Sequence, residues 1–429
     1  MKTRRGRDVS SGARLRELAA ATPSTRDRSV DFLRAASILA VVFGHWFIAI
    51  IWWSHGIVRT TSAVGVTSWL WLGTWLFQVM PIFFFVGGFS NMVAYAAYRR
   101  KGHSPVAFVR SRLERLLRPS LVFLGLWMLV QVILHLADVG APAGPTVLGS
   151  TKLLRGMLPP AATLPFGPLW FLAVYLVIVA IAPITIALHK RFGIIVPVVM
   201  ALTVFVVDVV GFGLGHPGVR YLNIVPVLLF PHQLGHFLAD GTLDRAPRRL
   251  FWGMVVAGLG GLLLLTNPPF WRLVLGADRF RWFPSIGVYP KSLLGTDAER
   301  ISNAYPPTVC FLLAGVWSIG AVMLLRPALR RLLERTKVWR FTIAVNASIM
   351  TLFLWHMTAY LLAILALWPL GFGHQHDSTP RWWLERPIWE IVPGGILCAL
   401  VMVFTRFERA PQKTARERPA EGTQRVRAS

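Results

Sequence analysis

The sequence predicts an all-α, polytopic integral membrane protein with about ten transmembrane helices and both termini in the cytoplasm. Hydrophobic residues make up 55% of the chain, and its mean hydropathy of +0.55 is well above that of soluble proteins. Only 15% of the residues are charged, yet the formal net charge is +26. Charges are thus largely excluded from lipid, and those that remain are mostly basic, as in the cytoplasmic loops of membrane proteins.

A basic excess is also typical of nucleic-acid-binding proteins. In this chain, however, the lysines and arginines lie between apolar segments instead of along one polar face, and no nucleic-acid-binding motif is recognisable. We therefore expect the protein to contact the lipid bilayer and no nucleic acid.

Ten segments are long and apolar enough to cross a bilayer as helices of roughly 20 residues. The sixth and tenth are the weakest, because Pro226 and Pro231 interrupt the sixth and Pro393 the tenth. The predicted spans are 31–52, 70–97, 119–137, 168–188, 193–211, 221–239, 249–266, 307–325, 341–367 and 388–405.

The distribution of basic residues predicts the orientation. With the N-terminus in the cytoplasm, 34 of the 45 lysines and arginines fall on the cytoplasmic side. We expect a multi-pass protein of the cell membrane with its helical domain at 28–407, between disordered basic tails at 1–27 and 408–429. Two long loops near 138–167 and 267–306 then lie outside.

A column of ionisable residues runs along the first predicted helix. Arg34 and His45 are 11 residues apart, close to three turns, so their side chains point the same way about 16 Å apart. Asp31 lies one turn before Arg34. Such residues are costly in a membrane span unless they face protein or water. A neutral imidazole there is a candidate general base toward a hydroxyl group; the alternative is a structural histidine bonded to a neighbouring helix.

His356 lies in the ninth predicted span, about 15 residues from its cytoplasmic start and therefore at a depth similar to that of His45. Two histidines on different helices at one depth are candidates for flanking a shared cavity. Asn346, Ser348 and Thr351 add polar groups along the way, but such residues also hold membrane helices together, which leaves a structural role open.

Arg112, Arg115 and Arg118 recur every three residues just before the third span. Guanidinium groups bind phosphate oxygens through paired hydrogen bonds, so the cluster suits a polyphosphorylated cytosolic ligand. The alternative is ordinary positive charge against lipid headgroups. In the second span, Gly87 and Gly88 allow either another helix or an extended ligand to approach the backbone closely.

Together these residues resemble the integral-membrane acyltransferase-3 family over positions 30–405. The family's usual Ser-Gly-Phe in the second span is Gly87-Gly88-Phe89 here, followed by Ser90. The motifs, in order, are Asp31-x-Leu33-Arg34 with His45, FFFVGGF at 83–89, Arg112 and Arg115 with Pro119 behind them, LWFLAVY at 169–175, QLGHFLADG at 233–241 and LWHM at 354–357.

The resemblance implies a membrane O-acyltransferase that moves an acetyl or other short acyl group from cytosolic acyl-CoA to a hydroxyl of a glycan, glycolipid or secondary metabolite. It implies that His45 is the catalytic histidine, that Arg34 is its partner, and that Arg112 and Arg115 bind acyl-CoA. The proline behind the arginines is one residue later than in the family, which leaves Arg115 and Arg118 as the alternative pair.

A secondary transporter or flippase is the alternative class, because intramembrane histidines and aspartates also relay protons. Two related halves with broken helices, which many transporters have, are not recognisable in this sequence. Cys310 and Cys398 both lie in apolar segments. We expect acyl-CoA as co-substrate and no disulfide, metal or prosthetic group.

The orientation leads to a direct test. A reporter that is active only outside the cytoplasm should stay silent when it is fused after Arg406, because the positive-inside rule places that end in the cytoplasm. The same reporter inserted within 267–306 is the control and should be active. Activity of the Arg406 fusion would mean that the number of spans is odd.

Overall fold

The computed structural model describes residues 26–54, 57–136, 165–266, 289–295 and 303–408. These ranges are almost entirely helical, and nine helical segments in them are long and apolar enough to cross a membrane. The prediction of an all-α, polytopic membrane protein is therefore confirmed. The third predicted span, 119–137, is not among these nine; it falls in the apolar second half of a helix whose first half carries the arginine cluster.

The helices follow one another with short connections wherever the structure describes them. In chain order they are α1 (Arg28–Ile48), α2 (Ala63–Val66), α3 (Trp71–Phe77), α4 (Met80–Arg100), α5 (Pro105–Leu136), α6 (Leu169–Phe192), α7 (Ile195–Asp208), α8 (Ile224–Ala239), α9 (Thr242–Arg245), α10 (Arg248–Thr266), α11 (Val309–Leu332), α12 (Thr336–Ala347), α13 (Ile349–Leu367) and α14 (Pro380–Glu408). A π-helical segment (Val209–Gly213) extends α7, and 3₁₀ helices precede α8 (Pro217–Asn223) and follow α13 (Trp368–Leu370).

The first predicted span, 31–52, is wrong at its C-terminal end. The helix stops at Ile48, and the chain continues into an antiparallel hairpin of β1 (Ala49–Ser54) and β2 (Ile57–Ser62), with Ala49 opposite Ser62. A run of apolar and β-branched residues fits a strand as well as a helix, so hydropathy alone does not mark this boundary.

The N-terminal end of α1 is fixed by a buried ion-pair cluster. The Asp27 carboxylate caps α1 by accepting hydrogen bonds from the backbone of Ser29 and Val30. Arg326 of α11 binds Asp27, Ser29 and Asp244, and so joins α1, α9 and α11. The predicted tails otherwise lie outside the described residues, but Arg26, Asp27 and Glu408 contact the helical domain and belong to it.

The core is centred on α13, which packs against α1, α5 and α14. Its side chains are buried along most of its length, and they form one apolar cluster with residues of α1 and α14, including Trp46, Tyr360 and Trp389. Because α13 carries His356 and α1 carries His45, this packing brings the two predicted histidines toward each other.

A very close helix crossing joins α4 and α8. A Cβ on Gly88 would lie 1.9 Å from the carbonyl oxygen of His232, and a Cβ on Gly235 would lie 2.1 Å from that of Phe85. Only glycine permits backbones to approach this closely. The sequence left open whether the paired glycines allow close approach of another helix or of a ligand. Gly88 allows close approach of another helix, α8.

We predict that Gly88→Ala destabilises the fold. The new methyl group must push α8 away from α4, and overpacking of this kind typically costs about 1–3 kcal/mol. The measurement is the thermal unfolding midpoint of the detergent-solubilised protein. Gly125→Ala in α5 is the matched control, because nothing lies within 4 Å of its added Cβ. Equal midpoints for the two variants would contradict the prediction.

Candidate active site

A cavity of about 120 Å³ lies among α1, α4, α5, α6, α13 and the end of α14. Three arginines, Arg34, Arg112 and Arg115, line it together with mainly apolar and aromatic side chains. The cavity therefore combines a concentrated positive charge with an apolar wall. The other lining residues are Ile38, Phe83, Gly87, Ser90, Leu116, Phe171, Leu172, Tyr175, Val179, Ile349, Met350, Phe353 and Glu408.

Arg34 is held in the second turn of α1. Its Nη2 donates to the Ser90 hydroxyl of α4, and its Nη1 lies 3.8 Å from the Asp31 carboxylate. Ser90 directly follows Gly87-Gly88-Phe89, so it supplies a hydroxyl in a segment that lacks the family's usual serine. Sequence analysis alone does not predict this contact, because it depends on how α1 and α4 pack.

Asp31 is buried near the N-terminus of α1, and the Arg26 Nε donates to its carboxylate at 2.6 Å. Its backbone carbonyl accepts a hydrogen bond from Asn346 of α12. Asp31 and His45 are 14 positions apart, which is about 21 Å along the helix. The structure thus places Asp31 beside Arg34 and far from the predicted base.

A chain of hydrogen bonds positions Arg112. Its Nη2 donates to the Asn91 side-chain oxygen at 3.1 Å, and the Asn91 amide nitrogen lies 3.2 Å from Nε2 of His232. Both Asn91 and His232 are fully buried. The contact between them was not predicted, since it forms only where α4 and α8 cross.

The two candidate arginine pairs differ in their position relative to the cavity. Arg112 and Arg115 line it, whereas Arg118 is not among the described residues that line it. On a helix, residues three apart drift by about 60° around the axis, so the third arginine of the series turns away. Gly87 borders the cavity next to Tyr175, while Gly88 lies at the helix crossing.

Glu408 is a further residue that the sequence did not indicate. It ends α14 and accepts hydrogen bonds from the backbone nitrogens of Met350 and Thr351 at 3.0 and 3.1 Å, so it caps the N-terminus of α13. This carboxylate fixes the start of the helix that carries His356 to the wall of the cavity.

The rings of His45 and His356 lie next to each other, with their centroids 5.2 Å apart. The Nδ1 of His45 lies 2.8 Å from the Val41 carbonyl, and the Nδ1 of His356 lies 2.7 Å from the Phe353 carbonyl. A carbonyl oxygen only accepts, so these bonds assign the proton of each neutral ring to Nδ1 and leave a lone pair on each Nε2. The Nε2 of His356 is buried without a hydrogen-bond partner among the described residues.

The two histidines differ in access. His356 is 0% exposed, whereas His45 is exposed. Neither histidine is among the described residues that line the arginine cavity. The residues of the same two helices that do line it include Ile38 of α1 and Phe353 of α13. Phe353 lines the cavity, and its ring centroid is 6.2 Å from that of His356, so it links the cavity wall to the histidine pair.

The comparison with known families agrees with this arrangement. The model of the family described as "Acyltransferase domain" matches residues 27–406, which include the arginine cavity and both histidines. No curated protein and no solved structure matches the chain. Because the match covers nearly all of the helical domain and its motifs, the chain belongs to the acyltransferase-3 family of membrane acyltransferases.

Proposed function

We propose that the protein transfers an acyl group from cytosolic acyl-CoA to a hydroxyl of a glycan, glycolipid or secondary metabolite, with His45 as general base. The observation that carries this proposal is the pair of imidazoles near a cavity lined by three arginines, each with its Nδ1 on a carbonyl and therefore a lone pair on Nε2. The family match favours this reaction over the transporter or flippase that the sequence left open.

The arginines supply the donor site. The phosphate groups of acyl-CoA are polyanionic, and guanidinium groups bind them through charge-assisted, paired hydrogen bonds. Arg112 and Arg115 line the cavity, and Asn91 fixes the direction of Arg112. The long pantetheine arm then extends along the apolar wall toward His45, over the roughly 16 Å of helix between Arg34 and His45.

The histidine pair supplies the proton transfer. The acceptor oxygen attacks the thioester carbonyl carbon while Nε2 of His45 takes the hydroxyl proton. The carbon–sulfur bond of the tetrahedral intermediate then breaks, and the thiolate of CoA receives that proton from His45. His356 lies close enough to orient His45 and to share the positive charge that forms on it for this interval.

We predict that His45→Ala loses acyl transfer by about 10²–10⁴-fold, the usual effect of removing a general base. The KM for acyl-CoA should change little, because His45 is not among the described residues that line the cavity. Initial rates with purified protein, at several acyl-CoA concentrations, are the measurement. His216→Ala removes an exposed histidine between α7 and α8 and is the control. Turnover above half of the wild-type value in His45→Ala would make His45 a structural residue.

We predict that Arg112→Ala and Arg115→Ala each weaken acyl-CoA binding by roughly 1.5–3 kcal/mol, the usual value of a hydrogen bond to a charged group. Arg→Lys should recover only part of the loss, since an ammonium cannot form the paired contact. Calorimetry measures the affinity directly. Arg118→Ala is the matched control on the same helix. An Arg112/Arg115 double variant with unchanged affinity would assign the cluster to lipid headgroups.

A further inference from the structure

Arg386 is a buried arginine in the second turn of α14, and only 5% of it is exposed. Its guanidinium stacks on the Trp382 ring at 4.0 Å, and its Nε donates to the Trp382 carbonyl at 3.1 Å. Glu385 and Glu390 lie close to it on the same helix. A cation buried in a membrane helix is costly and is usually kept for a purpose.

The remaining contacts of Arg386 hold the end of α1. Its Nη1 donates to the carbonyl oxygens of Trp46, Phe47 and Ala49 at 3.3, 3.4 and 3.2 Å. The last carbonyls of a helix have no partner within the helix, and they form the negative end of its dipole. Arg386 satisfies them from a helix about 340 residues away in sequence. All three carbonyls lie within four residues after His45.

Arg386 also reaches the helix that carries the second histidine. The Tyr360 hydroxyl interacts with its guanidinium, and Tyr360 lies one turn after His356 on the same face of α13. A second link runs directly between the two helices, because Nε1 of Trp46 donates to the His356 carbonyl at 3.1 Å. Trp46 is thus held at its ring by His356 and at its carbonyl by Arg386.

We infer that Arg386 is a positioning residue that fixes His45 against His356. This inference rests on the proposed function of His45. Without Arg386, the last turn of α1 has unsatisfied carbonyls and frays, and the His45 ring loses its fixed distance from the His356 ring. The donor cavity lies three turns away and is built by other side chains, so donor binding does not depend on Arg386.

The test compares Arg386→Met and Arg386→Lys with the wild-type, full-length protein in detergent. Arg220→Met is the matched control: Arg220 is also buried, and its guanidinium also stacks on an aromatic ring, that of Phe212 at 4.1 Å. Two measurements are made on each protein. One is kcat and KM for acyl transfer; the other is hydrogen exchange of the backbone amides in a peptide that covers residues 43–50.

Arg386→Met should lower kcat by about tenfold to a hundredfold, because a displacement of roughly 1 Å at a catalytic group is sufficient for such a loss. The KM for acyl-CoA should stay within about twofold. Exchange at residues 43–50 should become faster in Arg386→Met and remain unchanged in Arg220→Met. Arg386→Lys should recover part of the kcat, because an ammonium keeps the charge but cannot reach all the carbonyls.

Several results would overturn the inference. Unchanged exchange at residues 43–50 in Arg386→Met would show that Arg386 does not hold α1. Faster exchange with a wild-type kcat would show that the contact does not position His45. If Arg386→Met does not fold, the test uses Arg386→Lys instead. Exchange at residues 43–50 and a kcat that both equal the wild-type values in Arg386→Lys would then contradict the inference. If the wild-type protein shows no acyl transfer, the proposed function is refuted. Hydrogen exchange at residues 43–50 would still show whether Arg386 holds the end of α1.

Discussion

The close crossing of α4 and α8 is the constraint on which the arginine cavity depends. Because Gly88 and Gly235 let the two backbones touch, Asn91 comes within hydrogen-bonding distance of His232. That bond leaves the Asn91 oxygen free to hold Arg112, and the neighbouring Ser90 holds Arg34. A wider crossing separates Asn91 from His232 and releases the arginine. The direction of these charges is therefore set by packing between two apolar helices.

The same crossing explains how several positive charges are kept close together inside a membrane protein. Like charges repel, and a guanidinium that leaves water must regain hydrogen bonds. Arg34 regains a hydrogen bond from Ser90 and adds an ion pair with Asp31 at 3.8 Å. Arg112 regains its hydrogen bonds from Asn91 and the Ser90 carbonyl. These partners are mostly neutral, and so the cavity retains a net positive charge for an anionic ligand.

The sequence was sufficient for the class of all-α, multi-span membrane protein, which long apolar segments mark. It also predicted the approach of His45 and His356 from their similar depth along their helices. It was not sufficient for the end of α1, since the partner of the last carbonyls is Arg386, far away in sequence. It also did not predict the contact of Asn91 with His232 or the role of Glu408, because both depend on the packing of α4, α8, α13 and α14. Long apolar segments can be recognised from the local sequence, whereas polar contacts between helices can be identified only in the tertiary structure.

The separation of the arginines from the histidines has a physical reason. Arginine is always charged, so it is best placed near the end of the bundle where water and counter-ions are close. A neutral imidazole is much less costly than a guanidinium inside a membrane protein, and in the proposed reaction His45 is charged only while it holds the acceptor proton. In the proposed reaction that proton leaves with the CoA thiol in the same cycle. A base of this kind works only if its partner and its distance are fixed beforehand, which the carbonyl bonds of both rings and the packing of α1 against α13 provide.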